Sequence, residues 1–248
     1  MLSKFNVAYI IDNNDEQLNL LCMSLNTLLK FNKVDNIYIV YYNLDKDYLV
    51  EVINNSVIYD LPNIEYYYFD MSIVDKDFPD LPNTCNGRLR YPSLTRFYIS
   101  KIIPHDKYWY LDTDLIFNSE VRNYFLSKQK YKLFYCFNRK KYKKKIITYE
   151  HTESPNAGIL FINAKKFNKL NLFDDIKEFY KKNADTIKYM NQSGYEFIMN
   201  KHKRICNIEV SDEYNIRPTY EHSDVNIKVF HCNGAEKNYF YIYYKQII

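Results

Sequence analysis

Short apolar runs rich in β-branched and aromatic side chains recur along this chain with helix-length stretches between them, and that rhythm restricts the fold more than any other feature. The runs are Asn6 to Asp12, Ile37 to Tyr42, Ile64 to Phe69, Tyr108 to Asp112, Lys132 to Phe137, Gly158 to Asn163 and Ile227 to Cys232. Strands spaced in this way by helices imply a largely parallel sheet covered on both faces. Between the first two runs, Leu18, Leu21, Cys22, Leu25, Leu28 and Leu29 fall at helical spacing and predict a helix from about Glu16 to Phe31. Pro92 suits the first turn of another helix, in which Leu94, Phe97, Tyr98 and Ile102 form the apolar stripe and Arg96 projects from a different face. Further helices are expected over Leu172 to Lys182 and Gly194 to His202.

With 248 residues, 47% of them hydrophobic, the chain can bury a sizeable core, which excludes a disordered protein. It has no internal repeat and no Pro/Gly/Ser-rich linker. The expectation is an α/β fold in a single Rossmann-like domain spanning residues 1–248, with a mostly parallel mixed sheet flanked by helices. No apolar run approaches the roughly 18 residues that a membrane-spanning helix needs. The start, MLSKFNVAYIID, runs straight into a strand without the pattern of a secretory signal, so a cytoplasmic protein is expected. Cys22, Cys85, Cys136, Cys206 and Cys232 are odd in number and never form a C-x-x-C pair, which suggests reduced thiols rather than a disulfide framework or a zinc site. A net charge of +4 does not imply nucleic-acid binding. The basic run from Arg139 to Lys145 reads first as a solvated loop and second as a contact for anionic lipid or acceptor.

Open sheets of this kind bind ligands at the carboxyl ends of their strands, so polar residues there matter most. The sharpest is the strand Lys107 to Leu111, which ends in Asp112-Thr113-Asp114. Two carboxylates beside a buried strand repel each other and are costly to desolvate, so a counter-cation is expected. Carboxylate oxygens suit Mn2+ or Mg2+, which can bridge to diphosphate oxygens. The same pair could instead cap a strand end in water. Late in the chain, His231 ends an apolar run, Gly234 lets the backbone come close, and Lys237 can meet a phosphate. Asn156-Ala157-Gly158 precedes a strand and reads on its own as a turn.

Taken in order, Asp12, Arg96, the Asp112/Asp114 pair, Asn156-Ala157-Gly158 and His231-x-x-Gly234-x-x-Lys237 resemble glycosyltransferase family 8, which has the GT-A fold. The resemblance spans about Asn6 to Tyr239. It implies a retaining, metal-dependent hexosyltransferase that moves glucose or galactose from a UDP-sugar to a hydroxyl of a glycan, lipid-linked saccharide or protein. It further implies Asp112, Asp114 and His231 as ligands of Mn2+. Donor contacts would come from Ala8, Asp12, Asn14, Arg96, Asp112, Thr113, Asn156, Ala157, Gly158, Gly234 and Lys237. Family members carry a Gln near the anomeric carbon, followed four residues later by an Asn; here Glu196 stands at that place before Asn200, and Gln192 is the alternative. A carboxylate there leaves open both front-face substitution and double displacement. Asp15 occupies the approximate place of a uracil-stacking Tyr, which weakens the case for uridine.

The aromatic tail, Tyr239 to Ile248, is expected to be a final packed strand, or otherwise a peripheral membrane contact. Two competing functions remain. A nucleotidyltransferase would also want paired carboxylates, but no Gly-rich phosphate loop is present. A catalytically dead sugar-nucleotide-binding homologue would have lost part of the metal set.

Overall fold

The first apolar run becomes β1 (Asn6–Ile11), buried along its whole length. Successive side chains of a strand point to opposite faces. Val7, Tyr9 and Ile11 accordingly join one apolar cluster, and Ala8 and Ile10 join the other. The computed structural model describes residues 4–85, 88–129, 132–138, 140–143, 146–149, 156–187, 190–211, 213–216, 218, 226–232 and 237–248.

After β1 come α1 (Asp15–Phe31), β2 (Asn36–Tyr41), α2 (Lys46–Ser56), β3 (Asn63–Tyr68) and α3 (Ser72–Asp77). A small pair, β4 (Thr84–Cys85) and β5 (Arg88–Leu89), precedes α4 (Arg90–Ile102), β6 (Lys107–Leu111), β7 (Leu115–Phe117) and α5 (Arg122–Lys128). Then follow β8 (Phe134–Asn138), a ribbon of β9 (Lys140–Lys143) and β10 (Ile146–Tyr149), β11 (Ile159–Asn163), α6 (Ala164–Lys169), α7 (Leu172–Asn183) and α8 (Met190–Lys201). The last elements are β12 (Cys206–Val210), β13 (Val229–His231) and α9 (Lys237–Ile247).

Seven strands form the main sheet in the order β12-β8-β11-β6-β1-β2-β3. Pairing is parallel throughout except for β11, which runs antiparallel to both β6 and β8. This is the mixed, mostly parallel α/β sheet that the run pattern implies. One face carries α4, α6, α7 and α8, whose Phe97, Phe167, Ile176 and Tyr195 pack with Tyr108 and Tyr110 of β6. Leu21, Leu25 and Leu28 of α1, with Ile53 of α2 and Phe125 of α5, cover the other face around Trp109. Trp109 is fully buried and stacks on Phe125 with ring centroids 4.3 Å apart. Each large side chain buried in this way contributes about 1.5–3 kcal/mol, and the abundant rings are used mainly as core.

Three local expectations need correction. The run Ile227 to Cys232 yields only the short β13, which leaves the main sheet and pairs antiparallel with β7. The tail is a helix, not a strand: Phe240 is fully buried and Tyr243, Tyr244 and Ile247 share its side, a helical spacing that packs on Leu20 and Ile116. Asn26 of α1 donates to the Tyr244 hydroxyl at 3.0 Å and helps to hold that helix. Helix α8 starts at Met190 rather than Gly194. Gly194 is a packing residue inside it, because a β-carbon there would lie 2.6 Å from Cζ of Phe97 and 2.9 Å from Cε2 of Tyr180. Among the described residues, no helix is long and apolar enough to cross a membrane. Arg139, Lys144 and Lys145 of the basic run lie outside the described residues.

Candidate active site and metal centre

Strand β6 leaves the sheet at Asp112, whose amide still donates to the carbonyl of Gly158 at 2.8 Å, and the chain turns through Thr113 and Asp114 into β7. Because β11 is antiparallel, its first residues lie at this same end of the sheet. The β13–β7 register sets His231 opposite Leu115. The amide of Cys232 donates to the carbonyl of Asp114 at 2.9 Å, which locks the two segments together. Asp112, Asp114 and His231 therefore converge, with one ligand atom from each lying within 4.8 Å of the others. Nε2 of His231 stands 3.1 Å from Oδ1 of Asp114 and 3.6 Å from Oδ2 of Asp112.

The two carboxylates are held differently. Oδ1 of Asp112 receives Arg96 at 2.7 Å and the Tyr110 hydroxyl at 2.5 Å. Burial pushes the Asp112 carboxyl up, but the Arg96 guanidinium outweighs it, with help from the Tyr110 hydroxyl, and the group is held well below the usual carboxylate range. Burial pulls the other way on Arg96, yet Asp112 and its neighbours keep its pKa above the ordinary value. Asp114 has no such support: its Oδ1 is buried without a hydrogen-bond partner, despite lying within ion-pair distance of His231. A carboxylate oxygen left without a donor beside an imidazole and a second carboxylate is the environment that a hard divalent cation fits. The donor set, two carboxylates and one imidazole, suits Mn2+ or Mg2+.

His231 is 1% exposed and closely packed. A β-carbon on Gly158 would meet its ring, so the glycine of the Asn-Ala-Gly turn makes room for the imidazole. Asn156 accepts the Gly158 amide at 2.9 Å, which shapes the turn. Behind the ring, Nδ1 lies 2.6 Å from Oδ1 of Asn215.

The remaining predicted residues fall into groups. Thr113 lines a cleft of about 140 Å³ with Ile10, Gln17, Tyr42, Pro92, Arg96, Tyr110, Asp112 and Asp114. Burial pushes the carboxyl of Asp12 up, although the Tyr42 hydroxyl beside it works in the opposite direction. Its Oδ1 is buried without a partner. Asn14 caps α1 and accepts the Gln17 amide at 3.2 Å, while Ala8 is fully buried in β1 and Ala157 is 2% exposed. Glu196 and Gln192 both lie on α8, which is joined to the Arg96 carbonyl by the Tyr195 hydroxyl at 3.2 Å. Gly234 and the side chain of Lys237 lie outside the described residues. Nothing in the sequence singles out Tyr110, Tyr195 or Asn215: Tyr110 lies within an aromatic strand run, Tyr195 within a helical stretch, and Asn215 in no periodic segment. A larger cleft of about 280 Å³ lies between Lys76–Leu81 and α7, but it contains none of these groups.

No protein-family model matches the sequence, and no curated protein does. Solved structures do match. The galactosyltransferase LgtC, in complex with donor and acceptor sugar analogs, superposes with a TM-score of 0.71 over 98% of this chain and 96% of that one, at 15% identity. The chain has the GT-A fold. Mouse xyloside xylosyltransferase 1 matches with a TM-score of 0.61 over 93% of this chain and 98% of its own, at 14% identity. The glycosyltransferase GlyE of Streptococcus pneumoniae TIGR4 matches with a TM-score of 0.62 at 13% identity, over 98% of this chain and 60% of GlyE. Within this GT-A fold, the Asp112, Asp114 and His231 cluster stands at the carboxyl end of a central strand, where open α/β sheets bind ligands.

Proposed function

We propose that the chain is a retaining glycosyltransferase of the family 8 type, moving a hexose, glucose or galactose, from a UDP-sugar to a hydroxyl of a glycan, lipid-linked saccharide or protein. The observation that carries this reading is the convergence of Asp112, Asp114 and His231 on one point of a GT-A fold. These three side chains would hold Mn2+, which when bound neutralises negative charge on the diphosphate leaving group.

Arg96 sits against Asp112 with its Nε buried and unpartnered, and in this reading it orients the donor and adds positive charge beside the diphosphate. Asp12 is assigned to the nucleoside, and Asn156 to the donor sugar. Lys237 is assigned to the phosphate on the strength of the resemblance. Transfer breaks the bond from the anomeric carbon to the diphosphate oxygen, and the acceptor hydroxyl oxygen bonds to the same face while its proton passes to the departing diphosphate oxygen. Glu196 is assigned to the positive charge that develops on the sugar. An active-site Gln-to-Glu variant of LgtC has a matching structure with a TM-score of 0.69, which supports a glutamate being accommodated in an active site of this fold. Exposed Tyr241 and Ile242, with Lys245 on the same helix and exposed Ile248 just beyond it, support a peripheral membrane contact.

The test is a panel of nucleotide sugars assayed with Mn2+, with excess chelator, and with Asp114→Ala. Turnover of a UDP-hexose that needs the metal and vanishes in the variant is expected; full activity in chelator contradicts the proposal.

A further inference from the structure

We infer that Asn215 is a positioning residue that fixes the tautomer of His231 and so presents Nε2 of the imidazole as a lone pair to the metal position. This rests on the metal reading above but makes a claim about the ring that stands without it. Asn215 is fully buried and adopts φ 64°, a left-handed conformation that Asn tolerates better than most residues. Its Nδ2 donates to the carbonyl of Phe137 at 2.8 Å. A backbone carbonyl only accepts, so the amide has one allowed orientation, with Oδ1 turned towards His231.

That oxygen lies 2.6 Å from Nδ1 of His231, and it too only accepts. The neutral ring must therefore carry its proton on Nδ1, which leaves Nε2 unprotonated. Nε2 is the atom facing Asp114 at 3.1 Å and Asp112 at 3.6 Å. A lone pair aimed at two carboxylates is unfavourable alone and favourable around a cation, so the hydrogen-bond chain from Phe137 builds a ligand set in advance. The backbone holds both partners in place: the Ile216 amide donates to Val229 at 3.0 Å and the His231 amide donates to Ile216 at 2.8 Å. Residues that orient a metal-bound imidazole in this way typically change metal affinity about 10- to 100-fold when removed.

The experiment has two arms. Long-range 1H–15N NMR of the metal-free protein reads the His231 tautomer, and titration calorimetry with Mn2+ in the presence of UDP reads affinity. Wild type should carry a proton on Nδ1. Asn215→Gly, which keeps the left-handed backbone unstrained, should shift the ring towards Nε2 protonation and weaken Mn2+ binding at least about tenfold. Asn215→Asp retains an acceptor and should keep the wild-type tautomer. Wild-type His231 without a proton on Nδ1, or the same Nδ1 proton occupancy in wild type and Asn215→Gly, overturns the inference. Absence of Mn2+ binding to wild type with the Nδ1 tautomer intact would instead strike only the metal reading.

Discussion

A β-carbon on Gly158 would lie 2.1 Å from Cε1 of His231 and 2.8 Å from Oδ2 of Asp112. Neither neighbour is a flexible chain end, since the ring is buried against Asn215 and the carboxylate belongs to the strand end. Gly158→Ala should push the imidazole out of register with the carboxylates. We expect Mn2+ affinity to fall at least about tenfold, as it does when the support of a ligand is disturbed, and calorimetry of the variant checks it. Unchanged affinity would mean that the ring has room to move.

Asp112 and Asp114 should respond differently to truncation. Asp112→Ala strands the Arg96 guanidinium, whose side chain is 16% exposed, and a buried polar group left unpaired costs roughly 1–3 kcal/mol. Asp114→Ala removes an oxygen that has no hydrogen bond and relieves repulsion between carboxylates. Without metal, the Asp114 variant should melt at or above the wild-type temperature, and the Asp112 variant several degrees below it. Equal losses in differential scanning calorimetry would count against this division of roles.

The sheet and its helical covering were legible in the run pattern, whereas the meeting of His231 with Asp112 and Asp114 was implied only by the family resemblance. Asp112 and Asp114 follow an unbroken apolar strand, but His231 reaches them through β13, which leaves the main sheet to pair with β7, a placement the run pattern did not give. Other parts carried no such signal. Strand β12, Cys206–Val210, pairs only with β8 at the sheet edge, and its Asn and Glu dilute the apolar pattern. Gly194 looked like a boundary because glycine disfavours helices, whereas tight packing against Phe97 and Tyr180 is what requires it. Asn215 was invisible because its role depends on a carbonyl of β8 that only the folded chain brings near.

Burial pushes the thiols of Cys22 and Cys206 up to about 11 and raises the hydroxyls of Tyr9 and Tyr108. The unfolded chain loses thiol protons near about pH 8.5, so above that pH the folded state holds more protons and stability falls. The contribution is complete below about pH 8 and drains away towards pH 11. Urea midpoints should stay level up to about pH 8 and then decline steadily to pH 10.5. A flat profile across that alkaline range would argue against the burial of these groups.

Glu196→Gln should lower turnover more than apparent donor affinity, because the carboxylate is assigned to charge that appears only as the sugar bond breaks. Steady-state kinetics with a varied UDP-sugar separate kcat from KM. An unchanged rate would move the sugar-facing role to Gln192, which also lies on α8.

Electron paramagnetic resonance of Mn2+ titrated into the protein with UDP probes the three-residue centre directly. Wild type should bind one equivalent of manganese, and Asp114→Ala and His231→Ala should each abolish that binding while keeping the wild-type circular dichroism spectrum. Equal manganese binding by all three proteins would contradict a cation held by Asp112, Asp114 and His231.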